Sequence, residues 1–119
     1  MEIGDTAMGY YTNYSLTEEG TPKAIKAFQE DLVESSKYKG DILDLINYGS
    51  IYGKYYDLAD EVKTVASRHP NVLVILQGEG EDHGDIWELR CKGRETEQQV
   101  MTMPPFENPA LFTKDEKQQ

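Results

Sequence analysis

Polar and apolar positions alternate from Gly9 to Thr17, with Tyr10, Thr12, Tyr14 and Leu16 on one side and Tyr11, Asn13 and Ser15 on the other. Residues two apart share a strand face, so this spacing predicts a half-buried aromatic strand, closed by Glu18-Glu19-Gly20. The period then changes. Ala24, Ile25, Phe28 and Leu32 recur at helical spacing behind Thr21, a favourable N-cap, and Pro22, whose missing N–H is harmless at the first helical position. This helix is expected to end between Ser35 and Lys39, before Gly40. Ile42, Leu43, Leu45 and Ile46 read as a short helical turn plugging the core, and Ile51 to Tyr56 as a strand with a bulge or close approach at Gly53. Asp57 is placed as the cap of a second helix bearing Leu58, Ala59, Val62, Val65 and Ala66 on one face. His69-Pro70 ends it, because the residue before proline disfavours helical backbone.

Val72-Leu73-Val74-Ile75-Leu76 is continuously apolar and rich in β-branched residues, which predicts a central strand. Ile86 to Lys92 returns beside it with Trp87, Leu89 and Cys91 on one face. After a turn at Lys92-Gly93-Arg94, the weaker alternation of Glu95 to Met103 reads as an edge strand, with Val100 and the two methionines as core candidates. Pro104-Pro105 ends regular structure. The order β-α-β-α-β-β-β predicts an α+β two-layer sandwich, a mixed and mostly antiparallel sheet with two helices on one face, in the neighbourhood of ferredoxin-like folds. Residues 9–103 are expected to form one domain, with 1–8 a flexible or vector-derived lead and 104–119 a polar tail.

A chain of 119 residues, 38% of them hydrophobic, suits one domain with a modest core. No apolar run approaches the roughly 20 residues that span a bilayer, and the N-terminus lacks the basic-then-apolar pattern of a secretory signal. Cys91 is the sole cysteine, which excludes an intrachain disulfide and points to a reducing, cytoplasmic compartment. Its strand face predicts a buried, inert thiol. The net charge of −10 repels nucleic acid and anionic membranes and favours a basic partner.

That charge is densest from Gly78 to Trp87, where Glu79, Glu81, Asp82 and Asp85 accompany three glycines and no lysine or arginine. The pattern predicts a solvated, negative connection between two strands, with glycine supplying its tight backbone. Glu79, Glu81, Asp82, His83 and Asp85 offer cation ligands, yet a calcium loop beginning at Glu79 would place Arg90 where a bidentate glutamate belongs. The glycine spacing fits neither phosphate-binding fingerprint, and the carboxylates would repel a pyrophosphate. His69 reads as a helix-end residue and His83 as a loop residue, while solvated carboxylates lack the burial a general acid needs. No catalytic residues, metal site or cofactor are therefore assigned, and the expectation is a non-enzymatic protein. All eight tyrosines lie in the first half of the chain, and tyrosine beside carboxylates suits a protein-binding surface.

The stretch Lys54-Tyr55-Tyr56-Asp57, the helix after it, His69-Pro70-Asn71-Val72-Leu73 and then Gly78-Glu79-Gly80-Glu81 through Gly84-Asp85-Ile86-Trp87 resembles small acidic proteins of bacteriophages and mobile elements. The resemblance covers roughly residues 50 to 92. It implies a phage accessory protein with a ferredoxin-like α+β domain, and several such proteins are anti-CRISPR inhibitors that occupy a nucleic-acid cleft. The resulting expectation is an inhibitor acting in the cytoplasm of an infected bacterium on a basic host protein such as a Cas effector nuclease. It would use Glu79, Glu81, Asp82, Asp85 and Glu88 in place of phosphates, with Tyr10, Tyr11 and Tyr14 adding contact area. Direct binding of nucleic acid or membrane is not expected, and a homodimer is compatible with the sequence. A divalent-cation module or a structural phage component is the alternative.

Overall fold

The computed structural model describes residues 11–81 and 85–101. The chain runs β1 (Thr12–Glu19), α1 (Pro22–Ser35), α2 (Lys39–Tyr48), β2 (Ser50–Gly53), α3 (Leu58–Ala66), β3 (Leu73–Gly80), β4 (Ile86–Lys92) and β5 (Glu95–Met101). The strands form one sheet in the order β2-β1-β3-β4-β5. Three helices cover one face, so the two-layer α+β sandwich expected from the pattern is the architecture observed. Every strand pair is antiparallel, where a mixed sheet was expected. The first strand is inserted between β2 and β3. Both neighbours run against it and hence parallel to one another, and α3 crosses over β1 to join them.

Local chemistry accounts for most of the element ends. The Thr21 hydroxyl accepts the Ala24 N–H at 3.1 Å and Pro22 opens α1, as its sequence indicates. Phe28 and Leu32 from that helix are fully buried. The expected helical turn is a complete ten-residue helix, because Ile42 and Leu45 on one face plug the core while Leu43 points to solvent. Gly49 ends it in the left-handed conformation at φ 85°, returning its N–H to the Leu45 carbonyl. Asp57 makes no side-chain cap on α3; its carboxylate is taken instead by the Lys37 ammonium at 3.3 Å. That helix ends at Ala66, three residues before the expected stop, in a turn stabilised by the Arg68 and His69 N–H groups.

Strand bounds shift in the same way. β1 runs on through Glu18 and Glu19, which pair with Val74 and Leu73 instead of turning. β2 stops at Gly53, so Tyr55 and Tyr56 lie beyond it. β5 is the expected edge strand, but Val100 is 75% exposed and does not join the core. The expectations for residues 1–10 and 102–119 lie outside the described residues.

The inner face carries Thr12, Tyr14 and Leu16 of β1, Val74 and Leu76 of β3 and Leu89 and Cys91 of β4, all buried. The register aligns Ile51, Tyr14, Gly78, Trp87 and Val100 in one inner row. Gly78 is therefore a strand residue, not part of the turn. A Cβ there would sit 2.7 Å from the Trp87 indole Nε1 and closer still to Cε2 and Cζ2. The absent side chain lets Trp87 lie across the strand and meet the Tyr14 ring edge-on, centroids 6.2 Å apart.

Gly78→Ala should consequently lower stability by about 1–3 kcal/mol, the usual range for overpacking. The same substitution in a Trp87→Leu background should cost less than about 1 kcal/mol, because the obstructing ring is gone. Urea unfolding of the four proteins measures this coupling, and equal costs in both backgrounds would refute the contact.

Candidate protein-binding surface

None of the helices among the described residues lies over the sheet's second face. Strand alternation turns Asn13, Ser15 and Thr17, together with Glu79 and Glu88, toward that side. Cross-strand register arranges it in rows: Tyr52, Asn13, Glu79 and Ile86 at one end, then Ser50, Ser15, Gln77 and Glu88, then Thr17, Ile75, Arg90 and Glu97. Within these rows a cationic residue first appears at Arg90.

Of the carboxylates expected to act together, Glu79 and Glu81 come to the same end of the open face, and both are exposed. The Glu81 carboxylate accepts the Tyr11 backbone N–H at 3.1 Å, which ties the acidic connection to the entry of β1. Asp85 closes the strand pair through its backbone, its carbonyl accepting the Gly80 N–H at 2.8 Å. Glu88 stands one row away and is bound to the Arg90 guanidinium at 2.6 Å. That ion pair offsets part of the charge Glu88 would present to an external cation. Asp82 and His83 lie outside the described residues, as does Tyr10.

The aromatic residues divide. Tyr14 is only 4% exposed and donates its hydroxyl hydrogen bond to the Tyr55 carbonyl at 3.0 Å. Burial pushes its phenol above the ordinary value, and the residue belongs to the core, not to a contact surface. Tyr11 stays on the surface, stacked against Tyr52 with centroids 5.2 Å apart and planes 20° from parallel. The Lys54 ammonium lies 5.1 Å from the Tyr11 centroid. Tyr52 was missed by sequence reasoning as a surface residue. Its signal was present in the offset from Ile51, since alternation in β2 sends adjacent residues to opposite faces.

A second polar cluster, also missed, fastens the helices. Asp31 of α1 receives Arg68 through both Nε, at 3.0 Å, and Nη2, at 2.9 Å. Ser35 donates to the same carboxylate at 3.0 Å and His69 Nε2 lies 2.8 Å from it. Hydrogen bonding from Arg68 holds the Asp31 carboxyl well below the usual range. Nearby, buried Tyr55 donates to Glu61, and burial followed by that bond raises its phenol to about 12. Burial likewise pushes the Cys91 thiol up, consistent with an unreactive cysteine. These contacts join elements of the scaffold. A groove of about 370 Å³ beside the cluster is lined by Lys23, Arg68 and His69 among others.

Among the described residues, no three of histidine, cysteine, aspartate and glutamate lie close enough to hold a metal ion. No helix among them is long and apolar enough to cross a membrane. No protein-family model, curated protein or solved structure matches the chain.

Asp31→Ala should cost about 1–2 kcal/mol of stability at pH 7, the scale of a charge-assisted hydrogen bond that is partly solvated. A folded-state value depressed below the unfolded one contributes stability above the unfolded value and loses it as pH falls. The difference between wild type and Asp31→Ala should therefore hold from pH 7 to about 5 and close as pH drops below about 4. A difference independent of pH would show that the carboxylate charge is not what matters.

Proposed function

We propose that this protein is a non-enzymatic binding protein whose carboxylates take the place of phosphates on a basic, nucleic-acid-binding surface of another protein. One observation carries the reading. Glu79 and Glu81 stand beside the exposed Tyr11–Tyr52 stack, on the face of the sheet opposite the described helices. Carboxylates give such a surface long-range attraction for a basic patch, and tyrosine gives it contact area with little side-chain entropy to lose. The overall charge of −10 acts in the same direction.

In its most specific form the partner is a host defence nuclease, and the protein an anti-CRISPR-like inhibitor of a Cas effector in an infected bacterium. That form rests on the likeness of the Gly78–Trp87 motif to small phage proteins. The site it uses comprises Glu79, Glu81 and Asp85, with Glu88 and Asp82, and Tyr11 from the aromatic set. Tyr14 is not part of it.

Immobilised wild-type protein, exposed to bacterial lysate containing CRISPR effectors, should retain nucleic-acid-binding proteins and release them as salt rises. A variant with Glu79→Gln, Glu81→Gln, Asp82→Asn, Asp85→Asn and Glu88→Gln should retain none of them. Mass spectrometry of the two eluates compares the outcomes. Equal retention by both, or retention that persists at ~1 M salt where screening is nearly complete, would refute the electrostatic reading.

A further inference from the structure

The carboxylates account for attraction to any cation, but the aromatic pair beside them is more selective. Tyr11 and Tyr52 lie nearly parallel, and Tyr52 remains 65% exposed, so the stack presents an open ring face. Lys54 of the same chain already approaches Tyr11 within 5.1 Å, which is cation–π distance. The rings thus sit in a field that draws positive charge, with the Glu81 carboxylate fixed to the Tyr11 amide. Register adds a second constraint. Asn13 alone separates Tyr52 from Glu79, which puts the two side chains two strand spacings apart, roughly 10 Å.

A guanidinium suits the ring of this arrangement and is also attracted by the carboxylates near it. It is planar, it stacks on an aromatic face with little loss of hydration, and its edge still presents N–H groups in a fork that matches a carboxylate. An ammonium is compact and strongly hydrated, and it satisfies the carboxylates without needing the ring. We propose that the Tyr11–Tyr52 stack is an arginine-selective platform, on which an arginine of the protein partner lies against Tyr52 while its neighbouring basic side chains meet Glu79 and Glu81. The inference rests on the electrostatic reading above and names the side chain that the partner must supply.

Hexa-arginine and hexa-lysine carry equal charge and separate the two ideas. Ring resonances of Tyr11 and Tyr52 are followed by NMR in the wild type, and those of Tyr11 in Tyr52→Leu, whose exposed position leaves the fold intact, as its melting temperature checks. Hexa-arginine should bind about threefold or more tighter than hexa-lysine and should shift the Tyr52 ring signals. Tyr52→Leu should abolish that preference while keeping weaker, salt-sensitive binding of both peptides. Equal affinity for the two peptides in the wild type, or an arginine preference that survives in Tyr52→Leu, would overturn the platform and leave the electrostatic reading standing. Failure of both peptides to bind would overturn the platform and the electrostatic reading together.

Discussion

Gly78 lacks a side chain, and the indole of Trp87 occupies the space a methyl group would need. This contact fixes more than a local fit. It sits in the middle of the inner row that runs through Tyr14, so it holds three adjacent strands at one level. Side chains alternate along a strand, and a slip of β1 by one residue against β3 would turn β1 over relative to its neighbour. Tyr14 and Leu16 would then face solvent while Asn13 and Ser15 turned toward the helices. The register that buries the aromatic pair is thus the register that brings Glu79 level with Asn13 and Tyr52 on the other side.

The three helices lie on one face, and the opposite face takes on a division of labour between its ends. Where β4 turns into β5, Arg90 and Lys92 are interleaved with Glu95 and Glu97, and such alternation keeps an edge strand from pairing with other chains. At the far end the Glu81 carboxylate is tied to the Tyr11 amide and Lys54 lies over the Tyr11 ring. Stability and the proposed recognition therefore draw on different residues. The Asp31–Arg68 pair and the Tyr55–Glu61 contact tie α1, α3 and their connections together. Variation on the open face can proceed without disturbing them.

Much of this was legible in the sequence, for identifiable reasons. Thr21-Pro22 marks the start of α1 because capping is local chemistry, and Phe28 and Leu32 follow from helical spacing alone. The alternation separated the two faces of β1 without saying which is buried, and it marked the buried face of β4. What failed depended on distant partners. Glu18 and Glu19 resemble a turn until β3 pairs with them, and Gly78 resembles a loop glycine until Trp87 lies over it. Val100 is apolar yet exposed, since none of the described helices reaches over the edge strand. Tyr14 and Tyr11 look equivalent as letters, and only the register sends one into the core and the other onto the surface beside Tyr52. The ion pairs of Asp31 and Glu88 join residues whose proximity the spacing did not suggest for the first and whose shared face it did for the second.

The central claim is that this surface takes the place of nucleic acid, and competition tests it most directly. A nuclease or other nucleic-acid-binding protein retained by the wild-type chain is titrated with duplex DNA, and both bound species are followed together by fluorescence. The account predicts mutually exclusive binding, with DNA displacing the protein and the protein displacing DNA at every ratio. A ternary complex that holds both at full occupancy would contradict it.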